Sequence, residues 1–249
     1  MTSPAPASSR LSEKPIARWE RLIVALDVPT PDQARALVRE LGESVHFYKL
    51  GLELFLTDGY FPLLAELIGQ GKKVFADLKF FDVPETVAAA VRQMRGRGVS
   101  FLTVHGNQRI LEAACREKGD LGILGVTVLT SFDREDLRDL GFPTPISVED
   151  LVLSRAKRAL SAGCDGVISS GLEAKRLRDQ LGARLLVVSP GIRPFENRLA
   201  DDHKRVMTDR EAFLAGADYV VVGRPIRNAP RPREAAERIQ TTIAELFPA

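Results

Sequence analysis

The chain has 249 residues, 45% of them hydrophobic and 27% charged, with a formal net charge of +2. This is the balance of a soluble globular protein; it excludes a disordered chain and gives no reason to expect a nucleic-acid or membrane partner. The apolar runs are far too short to cross a bilayer. Cys115 and Cys164 are the two cysteines and lack metal-ligand or redox spacing, as expected of reduced, packed thiols in the cytoplasm.

Residues 1–20 are rich in Ser, Pro and Ala and lack the apolar segment of a secretory signal. They are expected to form a flexible N-terminal extension, with a short helix near Trp19. From Leu22 onward, β-rich runs alternate with amphipathic ones. Strands are expected at 22–27, 46–50, 73–78, 100–105, 121–129, 165–170, 184–189 and 218–223. Helical patterns between them include 31–41, 61–71, 85–98 and 147–163, and a final one covers 232–246. Gly71, Gly98, Gly163 and Gly216 stand where helix C-caps are expected.

Strands alternating with helices imply a parallel sheet with right-handed crossovers. Eight such units within residues 21–249 match one α/β domain, a (β/α)8 TIM barrel. The rival, a doubly wound sheet, lacks its GxGxxG after the first strand.

In such a barrel the chemistry sits at the C-terminal strand ends. Those ends carry Asp27, Lys49, Asp77 with Lys79, His105, Thr130, Pro190 to Arg193, and Gly223-Arg224. Asp77 and Lys79, two apart in a strand, should share a face. Asp82 follows within a turn of the same site. Ionised groups clustered at a strand end make a poor core, because buried charge is costly unless paired. They make a good holder for an ammonium beside developing negative charge.

Three segments converge: LDVP at 26–29, DLKFFDVPET at 77–86, and SPGIRP at 189–194 with VVGRP at 221–225. Together they resemble the orotidine 5′-phosphate decarboxylase family, whose most specific element is D-x-K-x-x-D-[IV]-P-x-T. The resemblance runs from about residue 21 to 245. It implies cofactor-free, metal-free decarboxylation of orotidine 5′-monophosphate to uridine 5′-monophosphate, the last step of de novo pyrimidine nucleotide biosynthesis. By the same resemblance, Lys79 would protonate carbon 6 of the pyrimidine, flanked by Asp77 and Asp82. Asp82 and Thr86 would reach into the partner's site of a homodimer. Asp27 and Lys49 would hold ribose hydroxyls, and Thr130 the pyrimidine. Arg193, Gly223 and Arg224 would bind the phosphate, and Pro190 would also line the substrate site.

The chemistry is consistent with that resemblance. Loss of carbon dioxide leaves a lone pair in the ring plane, which the π system cannot delocalise, and the sequence offers no cofactor motif as electron sink. A fixed cation must stabilise it. A unit charge pair about 4 Å apart is worth about 4 kcal/mol at an effective dielectric of about 20. A rate enhancement on the order of 10¹⁷ needs about 23 kcal/mol. The remainder is expected from phosphate binding that closes the site, with the polar stretch 190–204 as a lid.

The chain departs from the family pattern at three places. Phe81 stands where His is frequent, Glu85 where Asn is common, and His203 where a Gln touches phosphate and base. Other readings are a metal-dependent sugar-phosphate decarboxylase or synthase on the same barrel, a Schiff-base aldolase, and a non-catalytic phosphate-ligand binder. Among the remaining residues, His105 is read as bonded to backbone, Glu53 as a helix start, and Phe80 and Phe81 as packing.

Overall fold

The computed structural model describes residues 10–142, 146–193 and 207–248. In chain order the elements are β1 (Leu22–Ala25), α1 (Pro31–Leu41), β2 (Phe47–Gly51), α2 (Leu52–Phe55) and α3 (Tyr60–Gly69). They continue with β3 (Lys73–Phe80), α4 (Pro84–Met94), β4 (Phe101–His105), α5 (Gln108–Glu117) and β5 (Gly122–Val126). Next come α6 (Arg134–Asp139), α7 (Val148–Ser161), β6 (Gly166–Ile168), α8 (Gly171–Leu181) and β7 (Leu186–Ser189). The last are α9 (Asp209–Leu214), β8 (Tyr219–Val222), α10 (Arg224–Arg227) and α11 (Pro232–Leu246).

The eight strands pair in sequence order, all parallel, and Leu22 of β1 meets Val220 of β8 to close the barrel. The (β/α)8 expectation therefore holds. Period-2 alternation divides the strand residues into two layers. Ile23, Phe47, Phe75, Phe101, Leu124 and Tyr219 fill the barrel, while Leu22, Val24, Tyr48 and Val74 pack outward beneath the helices. Aromatic rings plug the floor: Phe101 lies 5.4 Å from Phe47 and 5.3 Å from Tyr219 between ring centroids. Two residues further on, the inward positions of β2 and β3 become Lys49 and Asp77, while those of β1, β5 and β8 stay apolar as Ala25, Val126 and Val221.

Helix starts follow local chemistry. Thr30 caps α1 with Pro31 at its first position, and Asn107, Ser147 and Ser170 cap α5, α7 and α8. The four glycines expected at helix ends all have positive φ. Helices α1 and α11 match their sequence patterns residue for residue, and Glu53 lies in α2 as read. The sequence patterns do not single out α5, α6, α8, α9 or α10.

Residues 10–20 differ from the frayed extension expected of them. Ser12 and Lys14 donate to the fully buried Asp218, and Arg10 pairs with Asp179 at 2.7 Å. The Arg21 guanidinium stacks 3.8 Å over Phe247. A charged anchor on the barrel floor thus supplies what the composition of this segment lacks. Among the described residues, no helix is long and apolar enough to cross a membrane.

Candidate active site

The inward alternation that buries Ala25, Phe47 and Phe75 places Asp27, Lys49 and Asp77 next on the same faces, two residues onward. They form a row. Lys49 Nζ lies 2.8 Å from Asp27 Oδ1 and 3.3 Å from Asp77 Oδ2, and Lys79 Nζ lies 2.8 Å from Asp77 Oδ1. Charges alternate along it, so each interior member has an opposite charge on both sides. Burial alone would push the Asp77 carboxyl up, but Lys49 and Lys79 outweigh it and hold the group below its ordinary range. Burial would likewise lower Lys49, yet Asp77 and then Asp27 raise it above the usual ammonium value. The row is ionised at neutral pH at both of these groups.

Lys79 does not reach Asp77 by regular strand geometry. Ala76 pairs with Leu102 and Phe80 with Val104, so three β3 residues face the single Thr103 of β4. This bulge turns Lys79 to φ 46°, and no other non-glycine among the described residues has a positive φ. The expected shared face is realised through a break in the strand.

The row opens into a cavity of about 320 Å³. Thr130 and Ser131 line it after β5, with Pro190, Gly191 and Arg193 after β7 and Gly223, Arg224 and Arg227 after β8. Val126, Ile168 and Val221 supply an apolar wall. The charge row and the guanidinium groups of Arg193, Arg224 and Arg227 thus share one cavity, a set suited to a polar ring attached to an anion. No group of three or more His, Cys, Asp or Glu able to hold a metal occurs among the described residues.

Asp27, Lys49, Asp77, Lys79, Thr130, Pro190, Arg193, Gly223 and Arg224 all line this cavity. Asp82 and Thr86 do not. Both are exposed, and the Asp82 carboxylate accepts from the Val83 amide at 2.6 Å, so Asp82 does not complete the site within one chain. His203 and most of the expected lid lie outside the described residues. The residues that bracket it, Ile192 and Met207, pair as a parallel bridge.

The pattern that defines the Orotidine 5'-phosphate decarboxylase / HUMPS family matches residues 20–239. The chain belongs to that family. It is 60% identical to an orotidine 5'-phosphate decarboxylase of Methylococcus capsulatus, over 96% of this chain and 98% of that one. A namesake from Nitrobacter winogradskyi is 51% identical over 91% and 93%. The crystal structure of orotidine 5'-phosphate decarboxylase from Lactobacillus acidophilus superposes with a TM-score of 0.79 at 34% identity, covering 90% of this chain and 99% of its own.

Two departures from the orotidine decarboxylase pattern have local explanations. Phe81 packs edge-on against His105 at 5.4 Å, and Glu85 takes a hydrogen bond from Arg116 of α5 at 3.0 Å. The reading of His105 as bonded to backbone needs correction: its Nδ1 is buried with no hydrogen-bond partner among the described residues. Burial, with Arg155 and Lys79 adding to it, lowers its pKa and keeps the ring neutral. Sequence reasoning missed Ser131, Arg227 and Thr103. Arg227 stands three residues past Arg224 and was findable; Thr103 looked like any strand residue.

Proposed function

We propose that the chain decarboxylates orotidine 5′-monophosphate to uridine 5′-monophosphate without cofactor or metal, with Lys79 as proton donor. The bond between carbon 6 and the carboxylate carbon breaks, carbon dioxide leaves, and the electron pair stays on carbon 6. The Lys79 ammonium gives its proton to that pair. Asp77 faces the departing carboxylate, while Lys49 keeps Asp77 ionised and, with Asp27, holds the ribose hydroxyls. Thr130 bonds the pyrimidine, Arg193, Gly223 and Arg224, joined by His203, hold the phosphate, and Pro190 lines the substrate site.

The observation that carries this reading is the placement of the Lys79 ammonium, 2.8 Å from Asp77, in a cavity that Arg193 and Arg224 also line. A cation fixed before reaction stabilises the in-plane carbanion without reorganising. Remote phosphate contacts supply orientation.

The reading includes a cytoplasmic homodimer in which Asp82 and Thr86 complete the partner's site. Support comes from the segment that bears them: Phe81 and Val83 are 68% and 62% exposed, large apolar side chains that a second copy would cover. The test is the fall in orotidylate absorbance with purified protein. Lys79→Ala should abolish turnover and still bind uridylate; full activity in that variant would contradict the proposal.

A further inference from the structure

Thr103 of β4 is fully buried and does not line the cavity. Its hydroxyl nevertheless touches both partners of the reactive ion pair. Oγ1 accepts from the Lys79 backbone amide at 2.9 Å and donates to Asp77 Oδ1 at 2.9 Å. The same Oδ1 takes the Lys79 ammonium at 2.8 Å. Lys79 backbone, Thr103 hydroxyl, Asp77 carboxylate and Lys79 ammonium therefore close a ring.

The bulge makes this ring necessary. Three residues of β3 face one of β4, so the ladder supplies no strand partner to the Lys79 amide. A buried amide without a partner is costly. The left-handed backbone at Lys79 also needs outside support, since a side chain with a Cβ adopts it at a cost. A hydroxyl on the facing strand answers both needs, and because it can donate as well as accept, it also fixes the rotation of the Asp77 carboxylate.

We propose that Thr103 is a positioning residue for the decarboxylation, holding Lys79 in its bulged conformation and Asp77 in register with it. The inference rests on the proposed role of Lys79 and names the device that keeps that lysine aimed. Thr103 meets no substrate, so it acts on kcat and leaves KM alone.

Two substitutions separate the hydroxyl from the packing. Thr103→Val keeps the shape and branching; Thr103→Ser keeps the hydroxyl and drops the methyl. Thr103→Val should lower kcat about tenfold to hundredfold, the scale of losing a hydrogen bond to a charged group, with KM for orotidylate within about twofold. Thr103→Ser should retain wild-type kcat within about threefold. Circular dichroism and melting of both variants establish that each is folded. Equal losses in the two variants, or a greater loss in Thr103→Ser, would assign the residue to packing and overturn the proposal, as would wild-type kcat in Thr103→Val. Lys79→Ala, assayed alongside, separates the two levels. If it alone is inactive and Thr103→Val is normal, the lysine role stands and the Thr103 role falls; if Lys79→Ala is active, both fall.

Discussion

Lys79 and Asp77 meet at 2.8 Å across a bulge, not along a straight strand. The contact depends on a backbone conformation that only this non-glycine residue adopts among those described. Lysine at this position has two separable properties, its charge and its ability to lose a proton.

Lys79→Arg keeps the charge but not the proton transfer, because a guanidinium does not deprotonate in proteins and projects further. Its kcat should fall by at least about 10²-fold, the lower range for losing a positioned general acid. Uridylate affinity should change little. A steady-state assay with calorimetric binding measures both; near-normal turnover would show that charge alone suffices.

Arg224 lines the same cavity as the charge row. Arg224→Ala should reduce kcat/KM for orotidylate by about tenfold to hundredfold, as expected for a lost charge-assisted contact. The same substitution should leave the slow reaction of orotidine, which has no phosphate, almost unchanged. Equal losses with both substrates would place Arg224 outside the phosphate site.

The charge row also predicts a pH dependence of stability. Asp77 is held below its ordinary 3.8, since Lys49 and Lys79 outweigh the upward push of burial. Its contribution is present above that value and disappears as pH falls through the lowered native one. Lys49 is held above its ordinary 10.5, Asp77 and Asp27 outweighing burial, so its contribution persists below 10.5 and disappears as pH rises through the native value. In urea unfolding, wild type should exceed Asp77→Asn by a constant margin at neutral pH, and the margin should shrink below about pH 3.8. A margin that survives deep into acid would mean that Asp77 owes its place to something other than its charge.

On the barrel floor, Asp218 is wholly buried and accepts from Ser12, Lys14, Arg178 and the Val187 amide. Asp218→Asn leaves Arg178 and Lys14 facing an uncharged group. Removing one partner of a buried pair costs about 3–5 kcal/mol. Denaturant unfolding should register that loss while kcat per folded molecule stays at the wild-type value, since the reactive layer lies at the opposite strand ends. A large fall in kcat would show coupling between floor and mouth.

The architecture was readable because alternation and turn residues act locally. The patterns at 31–41 and 232–246 became helices with those bounds, and every expected strand overlaps an observed one. Strand ends were less exact: the run 121–129 stops as β5 at Val126, and Thr127 instead bonds the Ile168 carbonyl at 2.7 Å. The cavity-lining residues Asp27, Lys49, Asp77, Lys79, Arg193 and Arg224 were legible because charge at the end of an apolar strand is conspicuous. Thr103 was not, because a threonine suits any strand and its role appears only once two strands slip past each other. The anchoring of residues 10–20 was hidden for a related reason: it depends on a buried acid some two hundred residues away in the chain.

The closure of β8 onto β1 has a last consequence for assembly. A sheet without rims offers no amides for another strand to zip onto, so oligomers cannot grow by ladder extension. Any pairing of two copies has to be made by the loops and helix flanks. Phe81 and Val83, exposed and apolar just past the end of β3, are side chains of that kind.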